Sequence, residues 1–156
     1  MSYSRLLVDK KIHFEPGAKM QVGNQRTAAK RDLATAQRLG AKQEWTYNIA
    51  YNAMLLAGRA VMFSEGYRPT SGEGGHAAVI EFLRLRLGQE FQDVLDLMDR
   101  MRRQRHRIVY EAAGAVSESQ IAEALRTAER FVRDIENLLG HGASPEDSTP
   151  PASERL

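Results

Sequence analysis

Residues 100–107 read RMRRQRHR, which gathers Arg100, Arg102, Arg103, Arg105, Arg107 and His106 into roughly two helical turns. A guanidinium stays charged at any physiological pH and presents a planar fork to phosphate oxygens, whereas an imidazole exchanges its proton near neutrality. At about 100° per residue, Phe91, Val94, Leu95, Met98, Met101 and Val109 centre on one stripe, with Arg102 and Arg105 pointing into it. Arg100, Arg103 and Arg107 project to the opposite face, and His106 and Tyr110 share a flank four residues apart. The outward arginines read as a solvated face, with phosphate attraction as the alternative. The inward pair demands more, because an unpaired cation on a buried stripe is strongly destabilising. Arg102 and Arg105 must meet a carboxylate such as Asp99, Glu111 or an acid of the first helix, a ligand phosphate, or a wet cleft such as a dimer interface.

A second constellation lies in WTYNIAYNAMLLAGRAVMF, which is apolar almost all the way round except for Asn48, Asn52 and Arg59. Their spacings of four and seven place them on one helix face, as a solvated seam or as the polar lining of a site. Other chemistries fail on inspection. Glu73 and His76 have a Glu-x-x-His spacing, but di-iron bundles need two such pairs on helices plus further glutamates, and this pair sits in a glycine-rich loop where His76 reads as a helix cap. The GEGG of that loop has no following Gly-Lys-Ser or Gly-Lys-Thr, so it is not a P-loop. No Gly-x-Ser-x-Gly elbow occurs, and His13, His76, His106 and His141 stand apart from any serine or acid at a telling spacing. With no cysteine, zinc knuckles and thiol catalysis are excluded, and neither metal nor cofactor is expected.

The elements that must position these groups are helical. Between Asn24 and Gly140 the only proline is Pro69, and β-branched residues never dominate a window. A first helix is predicted over about 25–39 and a second over about 44–65, followed by the loop GYRPTSGEGGH; a third is expected over about 77–87 and a fourth over about 89–113. The fifth opens on Ser117 and Gln120, a capping-box pair, and carries Ile121, Leu125, Ala128, Val132, Ile135 and Leu139 at three- and four-residue steps. The fold class is therefore all-α, an up-and-down bundle of four to five helices spanning 24–140. Residues 1–23 read as a partly ordered arm, and the tail from 141, rich in Pro, Ser and acids, as disordered. Twenty-two Lys and Arg against twenty Asp and Glu leave a net charge of only +2, so the chain is no polycationic arm. With neither a secretory signal nor a long apolar run, a cytoplasmic location away from the membrane is expected.

Five separated segments carry a likeness to a known family: DLATAQRL, EWTYNIAYNAMLLAGRAVMFSEGYRP, GGHAAVIEFL, DRMRRQRHRIVYE and ALRTAERFVRDIENLL. In this order they resemble bacterial and archaeal HEPN-domain proteins over about residues 24–140. The resemblance implies a helical bundle that forms a homodimer, with RNA as target, often as the toxin beside a small nucleotidyltransferase antitoxin. Active members carry an Arg, a polar residue and, after four to six intervening positions, a His, and cut RNA without metal in a cleft between two subunits. Here Arg105 and His106 match the opening of that motif, and Tyr110 stands where the closing histidine would be, as in degenerate members that bind RNA or a partner without cutting. A second register, Arg100 and His106, satisfies the spacing, but Met101 follows the arginine. Metal-free cleavage asks for a base, an acid and a cation, which suits histidine and arginine; a phenol holds its proton at neutral pH, so His106 is the group that would substitute. The implied site is thus Arg105, His106 and Tyr110, with Arg100, Arg102, Arg103 and Arg107 on phosphates and Asn48, Asn52 and Arg59 as cleft lining. The alternative is a non-catalytic HEPN module that binds RNA, nucleotide or a nucleotidyltransferase.

Overall fold

In the computed structural model, the described residues are 2–70, 75–110 and 116–140, with the side chains of 106–110 outside that description. The expected tail and the loop residue Glu73 also lie outside it. In chain order the elements are α1 (Ser4–Val8), β1 (Ile12–Phe14), a 3-10 turn (Pro16–Gln21), α2 (Val22–Leu39), α3 (Glu44–Ser64), β2 (Tyr67–Pro69), α4 (Gly75–Arg86), a second 3-10 turn (Gln89–Phe91), α5 (Gln92–Tyr110) and α6 (Glu118–Gly140). The five predicted helices are α2 to α6, and the all-α bundle is borne out. Two details were not expected from composition. Residues 4–21 carry short regular elements, and β1 pairs antiparallel with β2, with Ile12 opposite Pro69 and Phe14 opposite Tyr67.

The central element is α3, as its nearly continuous apolar surface requires. Tyr51, Met54, Leu55 and Met62 are among its fully buried side chains, and it packs against α2, α4, α5 and α6. Each such side chain contributes about 1.5–3 kcal/mol by leaving water. The helix crosses α4 closely at Gly58, where a Cβ would come 2.6 Å from Cδ1 of the buried Leu83. On α6, Ile121, Ala128, Val132 and Ile135 are buried, with Leu125 and Leu139 packed at the edge, as the three- and four-residue spacing predicts. Its start is the capping box read from the sequence: the Ser117 amide donates to Gln120 Oε1 at 2.8 Å, and the Gln120 amide donates to Ser117 Oγ at 3.2 Å. Arg26 of α2 forks onto Glu136 of α6 with two 2.9 Å hydrogen bonds, and Lys30 joins the same carboxylate at 3.5 Å.

The strand pair holds the chain at the mouth of α4. Glu15 N donates to Gly66 O at 2.7 Å, and Thr70 N donates to Lys11 O at 2.9 Å. Gly66 sits at φ 85°, a left-handed conformation that favours glycine, and a side chain there would also collide with the Phe14 ring. Tyr3, Tyr67 and Phe82 stack beneath this pair and tie it to α4. No helix among the described residues is long and apolar enough to cross a membrane.

Candidate functional site

A cleft of about 470 Å³ opens where α2, α3 and α5 converge, lined by Asp32, Thr35, Trp45, Asn48, Ile49, Tyr51, Asn52 and Arg105. Four of these follow from one helical face of α3: Trp45, Asn48, Ile49 and Asn52 recur at three- and four-residue steps. The turn before them is pinned, since Thr46 is fully buried and its hydroxyl donates to Gly40 O at 2.6 Å. From α2, Asp32 accepts from Asn52 Nδ2 at 2.8 Å and from Arg31 Nε at 3.2 Å. From α5, Tyr47 of α3 is met by Gln104, whose Oε1 accepts the phenol hydrogen at 2.6 Å and fixes the register of the two helices beside Arg105.

Beside the cleft lies a cationic corner. Tyr51, buried in α3, is 3.0 Å from His76 Nδ1 on α4, and Arg59, Arg102 and Arg105 are close enough to act on both. Burial first, then Arg105, Arg59 and Arg102, push the His76 pKa down from the ordinary 6.5 to about 4, so its imidazole is neutral at pH 7. Burial raises the Tyr51 phenol to about 12 against the pull of the same arginines. The pair is therefore uncharged: either the phenol donates to Nδ1 and leaves Nε2–H as a donor, or Nδ1–H donates and leaves Nε2 as an acceptor. Burial also lowers the Arg59 pKa, and its Nε is screened from solvent with no hydrogen-bond partner among the described residues.

The arginines of α5 divide differently from the helical-wheel expectation. Arg102 does not enter an apolar interior: about a third of its side chain is exposed, and it holds Asp99 through Nη2 at 3.0 Å and Nε at 3.2 Å, the ion-pair alternative. Arg103 joins the same carboxylate at 3.4 Å. Arg105 is exposed rather than buried and reaches the cleft wall. The buried stripe is narrower than the wheel implied, centred on Leu95, Met98 and Met101, and the long arginine stems reach past it to water. Arg100 is exposed and lies near enough to act on the Tyr47 phenol. The side chains of His106, Arg107 and Tyr110 fall outside the described residues.

The structure thus brings Asn48, Asn52 and Arg105 together in one cleft, sets Arg59 and Arg102 beside it, and leaves Arg100 and Arg103 on the outer surface. Sequence reasoning missed Trp45, Tyr51 and His76. The signal for the first two was present in α3: aromatic rings with a polar edge inside a run otherwise filled by aliphatic residues. His76 had none, since its partner lies twenty-five positions away and it opens a helix in place of capping one. Among the described residues no three His, Asp or Glu side chains are grouped so as to hold a metal ion.

No curated protein and no solved structure matches the chain. The HEPN domain family model matches residues 25–138, which is more than two thirds of the sequence and takes in nearly all of α2 through α6, so the chain belongs to the HEPN domain family, at family level a nuclease or RNA-related module.

Proposed function

We propose that the protein is an RNA-directed HEPN protein that cuts unpaired RNA without a metal, as the toxin of a toxin-antitoxin or defence system in the cytoplasm. The observation that carries this reading is Arg105: it opens the family-like motif and lies in the wall of the cleft beside the neutral Tyr51–His76 pair and two further cations. In the proposed reaction a 2′-oxygen attacks the adjacent phosphorus as the P–O5′ bond breaks. The 2′-hydroxyl proton passes to a histidine, His106 by its place in the motif, and O5′ leaves as a 5′-hydroxyl with a proton taken from solvent water. Arg105 stabilises the charge of the pentacoordinate phosphorane. A homodimer that sets two α5 ends against each other would enclose this site, and a small nucleotidyltransferase is the partner the family likeness suggests. Tyr110 at the closing position of the motif favours a second reading, a non-catalytic module that binds RNA, nucleotide or that partner.

The test is incubation of the full chain with an end-labelled unpaired RNA in excess EDTA. The expected products carry 2′,3′-cyclic phosphate and 5′-hydroxyl ends. Binding with no cleavage by the parent chain would select the second reading, and cleavage that EDTA abolishes would refute the metal-free mechanism.

A further inference from the structure

We propose that Trp45, Ile49 and Asn48 form a subsite for one unpaired nucleobase whose adjoining phosphate meets Arg105. This deepens the RNA reading and rests on it for the source of the base. Trp45 is 59 % exposed and stands on the second residue of α3, where the buried Thr46 anchors the backbone, so the indole offers an apolar face at the cleft wall. A base stacking on that face gains contact with no rearrangement of the helix that carries it. Ile49, one turn further along the same face, continues the apolar surface.

The two asparagines beside it differ in what they have left to offer. Asn52 is engaged by Asp32, whereas the amide atoms of Asn48 in the cleft wall have no hydrogen-bond partner among the described residues. An amide left without partners in a buried place is destabilising. A base presents a donor and an acceptor side by side on its pairing edge, which complements one amide group when that edge is not already used in a duplex. Charge sets the direction of the ligand. The Asp32 carboxylate repels a phosphate from the α2 wall, and Arg105 attracts it on the α5 wall. The 470 Å³ of the cleft lies within the 300–1,000 Å³ range of small-molecule sites.

Trp45 is the only tryptophan of the sequence, so its emission reads this site directly. The full chain is titrated with AMP, adenosine, ribose 5-phosphate, an unstructured RNA oligomer and a duplex of the same length. AMP and the unpaired oligomer should quench the emission, adenosine more weakly, and ribose 5-phosphate and the duplex should leave it unchanged. In anisotropy titrations with labelled oligomer, Trp45→Ala should bind roughly tenfold or more weakly and Trp45→Phe much less so, with unaltered circular dichroism in both. Oligomer binding that neither moves the emission nor weakens in Trp45→Ala overturns the subsite while leaving the RNA reading standing. Quenching by AMP with no oligomer binding upholds the subsite for a free nucleotide and overturns the RNA reading. Emission that follows protein concentration and ignores every nucleotide means that a second copy covers the indole, and the subsite is overturned.

Discussion

The α2–α6 seam and the α3–α4–α5 corner both place cationic side chains between helices, but they treat them in opposite ways. At the seam, Arg26 and Lys30 share Glu136, and the carboxylate pKa is pulled down chiefly by the Arg26 hydrogen bonds, the signature of a satisfied ion pair. At the corner, Asp99 is taken by Arg102 and Arg103, while Arg59 and Arg105 are near enough to depress the pKa of the same neutral imidazole and among the described residues no carboxylate pairs with either. The first arrangement holds two helices together. The second leaves the charge of Arg59 and Arg105 without a carboxylate partner among the described residues, which favours an anion that enters.

Replacing the two arginines should separate these roles most sharply. Arg105→Ala should slow RNA cleavage by about 100- to 1,000-fold, the usual effect of losing a charge-stabilising donor, with the unfolding midpoint unchanged because the side chain is exposed. Cleavage at the parental rate would move the site to the Arg100 register. A midpoint that drops as far as that of an Arg26 variant would erase the contrast between the two regions.

RNA affinity should fall with salt at a log-log slope of about −0.7 per phosphate neutralised on single strands. Three contacts from the corner would then weaken binding roughly 20-fold between about 50 and 200 mM salt. Anisotropy across a salt series measures the slope, and a flat response would mark the corner as internal pairing like the seam.

Arg26→Ala should lower stability by about 1 kcal/mol without touching RNA binding, since the fork is only partly shielded from water. Chemical denaturation reads it. The Glu136 pKa is depressed on folding, so this contribution is present above the unfolded carboxylate value and fades as pH falls through the lower folded value. Wild-type and variant midpoints should therefore converge in acid.

At pH 7 the smallest effect is expected at His76, whose contribution shows only in acid. Its folded pKa lies below the unfolded one, so the unfolded state binds the extra proton first, and stability is lost as pH falls from about 6.5 to about 4 and levels off below that. His76→Asn should flatten this part of the curve relative to wild type, with Arg59, Arg102, Arg105 and Tyr51 left in place. A parallel pair of curves would mean that the imidazole is as free to protonate as one in water.

The helices were legible because each is written locally: apolar steps of three and four, Gly40 and Gly88 at the stops, Ser117 and Gln120 at a start. The strand pair was not, because three residues of alternation carry no signal and the partner of Ile12 is Pro69. The spacing of Asn48, Asn52 and Arg59 was legible as one face of α3, with its alternatives open between solvent and site; the structure sets the two asparagines in the cleft wall and Arg59 beside it. What periodicity could not give was reach. A wheel assigns Arg105 a direction, but the length of the stem decides whether its charge ends in the core or at the cleft, and the Tyr51–His76 contact exists only once α4 has been laid across α3 at Gly58.

The β1–β2 pair also bears on the order in which the molecule assembles. It joins positions 12 and 69 and so closes a loop that contains α2 and α3 entire. Closing that loop in an unfolded chain has an entropic penalty that six strand residues repay poorly, whereas α2 and α3 need only a short turn to meet. The helical hairpin should therefore form ahead of the strand pair, and the amide hydrogens of that pair should exchange well before those of α3.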